Sequence, residues 1–229
     1  MRIKICGLFR DEDIDFVNEA RPDYAGFVFA QSGRQVSPPL AQYLRFRLAS
    51  GIIPVGVFVN APADFIAQLY HSGVISAAQL HGDEDDGYID RLKKLSETNS
   101  GRRKNEPIKV IKSICINKTA KKNEQTAGKI IRNNSRGSLF NSFPVNADFL
   151  LLDSGAGSGK TFDWKQLNSI EFPKPWFLAG GINMNNIEKA KTQKPFAVDI
   201  SSGAESDGIK DRKKILYLVS SVRQGTSNE

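Results

Sequence analysis

A cysteine closes the first apolar run of the chain, Arg2-Ile3-Lys4-Ile5-Cys6-Gly7, and an aspartate closes a much later one, Phe149-Leu150-Leu151-Leu152-Asp153. A strand-like run that ends in a reactive residue presents that side chain at the carboxyl edge of a sheet, where α/β enzymes hold their chemistry. One thiol and one carboxyl so placed suggest a base and an acid. The second cysteine, Cys115, lacks a following glycine and is read as structural.

Two such groups can cooperate only if the fold brings their strands together. Short apolar, β-branched runs recur along the chain with helix-length segments between them, the pattern of parallel strands joined by crossover helices. Eight are readable: Ile3–Cys6, Tyr24–Phe29, Pro54–Asn60, Ala77–His81, Ile108–Ile114, Ala147–Asp153, Trp176–Ala179 and Phe196–Ile200. Several are nearly continuous in apolar residues, as expected for strands covered on both faces. Helical spacing is visible over Arg10–Glu19 and Pro38–Leu48; Pro62 suits the first turn of a helix over Ala63–Leu69, and another begins over Asn185–Ala190. Eight strands in 229 residues predict a closed (β/α)8 TIM barrel, one domain spanning 1–229. Two looser stretches, near 98–106 and 133–146, are expected to be surface elaborations in inter-strand connections.

Bulk composition narrows the class. A 40% hydrophobic chain of this length can bury a substantial core. Two cysteines are too few for a disulfide framework, and no N-terminal apolar stretch resembles a signal peptide or membrane span, so a soluble, cytoplasmic protein is expected. The net charge of +7 is regional: Arg91 to Arg136 holds 14 Lys/Arg against three acidic residues, leaving the rest of the chain at −4. That segment is rich in Asn, Ser and Thr and poor in aromatics. It reads as solvated surface rather than a nucleic-acid interface.

Taken in order, the strand ends are Lys4-Ile5-Cys6-Gly7, Gly26-Phe27-Val28-Phe29, Ser32 to Pro38, Val55 to Asn60, Gln79-Leu80-His81-Gly82, Leu151-Leu152-Asp153, Gly157 to Trp164, Leu178-Ala179-Gly180-Gly181 and Val198 to Glu205. Nine such fragments in sequence closely resemble the phosphoribosylanthranilate isomerases of tryptophan biosynthesis. The resemblance implies a TIM barrel that catalyses an Amadori rearrangement of N-(5-phosphoribosyl)anthranilate to its 1-deoxyribulose 5-phosphate isomer. It implies that Cys6 is the general base, that Asp153 is the general acid, and that Arg34 holds the anthranilate carboxylate. His81 matches the family histidine near the ring pocket. The region 116–146 carries no family motif, and Gly33 stands where many members have a larger residue.

The remaining roles follow from barrel chemistry. A substrate phosphate needs donors, which barrels supply from the backbone of the loops after strands seven and eight. Gly180, Gly181, Ser202 and Gly203 stand there, and glycine permits close backbone approach. Asp199 is expected to orient the eighth loop or the pocket. With only two histidines, ten residues apart, a metal cluster is hard to assemble, and neither metal nor organic cofactor is expected. The expected partner is a small phosphorylated substrate, with no nucleic acid and no membrane, acting on a monomer or homodimer.

Three rival readings fit the sequence less well. Ser154–Thr161 resembles a P-loop, but Ser154 stands at its first required glycine and no clear amphipathic helix follows Thr161. The related barrel isomerase of histidine biosynthesis has an aspartate in place of Cys6 and a twofold internal similarity, neither of which is seen. A nucleic-acid-binding barrel rests only on the basic segment.

Overall fold

The computed structural model describes residues 1–97, 106–115, 144–153, 164, 167 and 170–224. Ser154–Thr161 and most of both expected elaborations lie outside the described residues. Eight strands form a closed barrel in chain order: β1 (Arg2–Cys6), β2 (Tyr24–Val28), β3 (Ile53–Phe58), β4 (Ala77–Leu80), β5 (Lys109–Cys115), β6 (Phe149–Asp153), β7 (Trp176–Leu178) and β8 (Ala197–Ile200). Neighbours are parallel throughout, and β8 pairs with β1 to complete the ring. Each expected strand is present within about two residues of its expected ends, the usual uncertainty of such boundaries.

The helices that return the chain are α1 (Asp11–Ala20), α2 (Pro38–Arg47), α3 (Ala63–His71), α4 (Asp86–Glu97), α5 (Ile187–Thr192) and α6 (Arg212–Arg223). Helix α2 starts where Pro38 can occupy the first turn, and the Ser37 side chain accepts from the Leu40 N–H. Asp211 caps α6 by accepting from the N–H groups of Lys213 and Lys214 at 2.8 and 3.2 Å. Helices α4 and α6 were not foreseen, although Ile89 and Leu92, and Ile215, Leu218, Val219 and Val222, give each a buried stripe at helical spacing.

Two apolar clusters fill the molecule. The larger lies between strands and helices, with Ile3, Ile5, Phe27, Phe58 and Leu178 among its members. The smaller, with Tyr24, Val55, Ile111, Leu151, Phe177 and Ala197, fills the barrel interior. Side chains alternate across a strand, so Asp153 and Asp199 face inward above Leu151 and Ala197. Aromatic rings close the lower end: Tyr24 and Phe177 stand edge to face at 5.5 Å, and Phe149 and Phe177 at 5.7 Å. Arg2 donates to the Tyr24 hydroxyl at 3.0 Å and lies 4.7 Å from the Phe196 ring centroid.

Candidate active site

Cys6 ends β1 and is buried, at 6% exposure. Its space exists because Gly26 is its partner on β2: a Cβ there would lie 2.7 Å from the Cys6 sulfur. Below it, two residues back on the same strand face, Lys4 is wholly enclosed and its Nζ donates to Asp199 Oδ1 at 2.9 Å. Burial pushes the Cys6 thiol up, the charges of Lys4 and Lys210 pull it down, Asp199 pushes it up again, and the thiol stands above its ordinary value. The cations expected to favour a thiolate are therefore present, but burial outweighs them. Asp199, expected to orient the pocket or the eighth loop, is engaged with Lys4 inside the barrel.

Gly7 follows Cys6 with φ 81°, in the left-handed region that glycine adopts without strain. A Cβ on Gly7 would also lie 2.5 Å from Arg34 Cδ, so this glycine lets the arginine pass over the end of β1. Arg34 Nε and Nη2 donate to the two carboxylate oxygens of Glu205 at 2.7 and 2.6 Å. Lys210 pairs with the same carboxylate and donates to the Ser201 carbonyl at 3.1 Å. Burial pushes Glu205 up, but the hydrogen bonds from Arg34 and Lys210 outweigh it and hold the carboxyl below its usual value. The carboxylate that Arg34 meets here is that of Glu205. One edge of the guanidinium fork is held by Glu205, which leaves the Nη1–Nη2 edge for a second carboxylate.

Asp153 ends β6 beside His81, with Nε2 and Oδ2 3.4 Å apart. The His81 ring is also placed by Gln79 Nε2, 3.1 Å from Nδ1, and by the Ser113 hydroxyl, 3.3 Å from Nε2. The loop carrying His81 is anchored by Glu84, which accepts from the N–H groups of Asn60 and Gly82 at 2.7 and 2.9 Å and from Lys112 Nζ at 2.8 Å. His81 thus stands beside Asp153 at the carboxyl end of β6.

At the other end a cleft of about 400 Å³ brings together Gly181, Ser202 and Gly203 with Asn183, Met184, Asn185, Glu205 and Lys214. Gly180 and Gly181 both have positive φ, 88° and 67°, which turns the chain sharply after β7. A Cβ on Gly203 would lie 1.8 Å from the Ile182 carbonyl oxygen, so the turn after β8 packs directly on the turn after β7. Lys214 and the backbone of two glycine-bearing turns stand there, and the one carboxylate in the lining, Glu205, is already paired with Arg34 and Lys210, a composition that admits an anion. Lys214 reaches the cleft from the first turn of α6 and donates to the Glu205 carbonyl at 2.5 Å.

The sequence reading missed Lys4, Gly26, Glu205, Lys210 and Lys214. Lys4 had a signal, because strand alternation puts it on the same face as Cys6. Glu205 had one too, since it closes the last strand-end fragment. Among the described residues, no group of three or more His, Cys, Asp and Glu side chains is placed to hold a metal ion. No helix among them is long and apolar enough to cross a membrane.

A family model described as N-(5'phosphoribosyl)anthranilate (PRA) isomerase matches residues 3–221. The chain belongs to that family. A relative from Endomicrobium trichonymphae named N-(5'-phosphoribosyl)anthranilate isomerase is 41% identical over 230 residues, covering 97% of this chain and 98% of the relative. The crystal structure of phosphoribosyl anthranilate isomerase from Thermus thermophilus superposes with a TM-score of 0.74 at 27% identity, covering 97% of this chain and 98% of that one. A second structure, of the isomerase in complex with reduced 1-(o-carboxyphenylamino)-1-deoxyribulose 5-phosphate, has a TM-score of 0.69 at 29% identity, with 97% and 98% coverage. The barrel and the isomerase activity of tryptophan biosynthesis expected from the sequence are both borne out.

Proposed function

We propose that this isomerase acts on N-(5-phosphoribosyl)anthranilate with Cys6 as general base and Asp153 as general acid. The observation that carries the reading is the placement of both residues at the carboxyl ends of inward-facing positions, on β1 and β6 of one closed barrel. A proton from Asp153 to the furanose ring oxygen opens the ring and leaves a Schiff base at C1. A Cys6 thiolate removes the C2 proton, and the C–H electron pair moves into the C1–C2 bond as the imine nitrogen takes up electron density. Tautomerisation then gives the C2 ketone and a C1 amine. C1 is reduced as C2 is oxidised, so the rearrangement needs no external electron carrier.

The rest of the site divides the substrate. Arg34, through its Nη1–Nη2 edge, receives the anthranilate carboxylate, His81 places the Asp153 carboxyl, and the cleft with Gly181, Ser202 and Gly203 takes the phosphate, with Gly180 shaping the turn. Asp199 acts from beneath through Lys4. Residues 1–229 form one catalytic domain, and a cytoplasmic location suits a biosynthetic isomerase. A solved relative from Thermotoga maritima is described as a dimeric isomerase, and this chain is proposed to work as a monomer or homodimer. The basic segment is read as surface, not as a nucleic-acid interface: among its described residues Arg91 pairs with Asp64, Lys93 and Lys109 pair with Asp148, and Lys112 is buried against Glu84.

Fluorescence of the anthranilate group follows turnover directly. Cys6→Ala and Asp153→Ala should each lower kcat by about 10² to 10⁴, the range for removal of a general acid or base, with substrate binding retained. A Cys6→Ala enzyme with wild-type kcat would refute the base assignment.

A further inference from the structure

Lys4 lies too deep to touch a substrate, at 0% exposure, yet it stands on the same inner face of β1 as Cys6. Burying an ammonium is costly unless it is paired, and a wholly apolar side chain would fill the same space more cheaply. Its ammonium donates to Asp199 at 2.9 Å and also acts on the Cys6 thiol, by charge and by a side-chain hydrogen bond. From the loop after β2 and from β9 (Glu205–Ser206) and β10 (Ile209–Lys210), the other charged groups near the thiol are Arg34, Glu205 and Lys210. Those three already form a cluster of their own around the Glu205 carboxylate. Lys4 and Asp199 are thus a separate charge pair set beneath the sulfur, and Lys4 is the cation with the strongest downward pull on the thiol.

We infer that Lys4 is a positioning residue for the proton-abstraction step, an enclosed counter-ion that makes the buried Cys6 available as a thiolate while Asp199 holds the ammonium in place. The inference rests on Cys6 being the base. It assigns to the barrel interior a part in catalysis that no contact with substrate would reveal. Lys4 carries the charge from below, and Arg34 is left to the substrate above.

The test reads the thiol itself, as the rate at which iodoacetamide alkylates Cys6 at pH 8, resolved from Cys115 by peptide mass spectrometry. An opposite charge nearby lowers a pKa by about 1–3 units, so losing the ammonium cuts the thiolate fraction about tenfold or more. The thiolate that remains is more nucleophilic, which offsets up to about half of that loss on a logarithmic scale, so Lys4→Met should react at least about threefold more slowly than wild type. Lys4→Met leaves the Asp199 carboxylate unpaired. If it does not fold, Asp199→Asn is compared with Lys4→Met/Asp199→Asn, and the double variant should again be at least about threefold slower. In turnover, Lys4→Met should lose kcat with KM within about twofold of wild type. That deficit should narrow as pH rises, which a merely displaced thiol would not do. Equal alkylation rates with and without Lys4 in both comparisons would overturn the inference. A Cys6→Ser enzyme with full kcat would instead remove the base assignment and leave the alkylation comparison standing.

Discussion

The sulfur of Cys6 fills the place where any side chain on Gly26 would begin, with only 2.7 Å between Sγ and the position of a Cβ. The two residues are register partners on β1 and β2, so neither backbone can move aside without disturbing the barrel. Gly26→Ala should therefore displace the thiol. Overpacking of this kind costs about 1–3 kcal/mol of stability. A misplacement of about 1 Å can cost about 10²-fold in rate. Steady-state kinetics should show a large fall in kcat with a smaller change in KM, while far-UV circular dichroism stays that of the native barrel.

Arg34 and Glu205 form a two-point pair whose other face is left for substrate. Lysine cannot reproduce that geometry. Arg34→Lys should raise KM more than Glu205→Gln does. Loss of one partner of a desolvated charge pair costs about 2–5 kcal/mol, a bound that Arg34→Ala approaches. Glu205→Gln, which loosens the guanidinium without removing it, should raise KM about tenfold, or about 1.4 kcal/mol. Unchanged KM in all three would place the anthranilate carboxylate elsewhere.

Glu205 also links the site to acid stability. Its carboxyl is held below the ordinary value in the folded chain, so its contribution is fully present above the unfolded value of about 4.3 and is lost as pH falls through the lower folded value. Urea unfolding at pH 7 should find Glu205→Gln less stable than wild type. The gap should close below about pH 4. A gap that persists undiminished at pH 3 would mean that Glu205 acts through packing rather than charge.

Exhaustive chelation should leave turnover unchanged, because two proton transfers and an internal redistribution of electrons account for the reaction. Activity lost on chelation and restored by a divalent ion would contradict the acid–base scheme.

The strands were legible because barrel strands are apolar on both faces, and the runs ending at Cys6 and Asp153 display their reactive residues at the edge. Helix α6 was harder to see, since it opens on Arg212, Lys213 and Lys214 before its buried stripe begins at Ile215. The partnerships within the site were not legible at all. Lys4 and Asp199 are 195 positions apart and Arg34 and Glu205 are 171 apart, and only closure of the barrel brings them within hydrogen-bond reach. A motif can show that an arginine is present; it cannot show which edge of its guanidinium is already occupied. The downward pull of Lys4 on the thiol was likewise foreseeable in kind, but its contest with burial depends on depth, which no local pattern records.

The aromatic floor formed by Tyr24, Phe149 and Phe177, with Arg2 against Tyr24 and Phe196, seals the barrel from below. Among the described residues the reaction chamber is therefore closed at that end and opens at the carboxyl ends of the strands. The linear aminoketose must leave by the route that the cyclic aminoaldose uses to enter, and the two cannot pass each other. Product should accordingly behave as a purely competitive inhibitor, and anything that crowds the rim will slow departure as much as arrival.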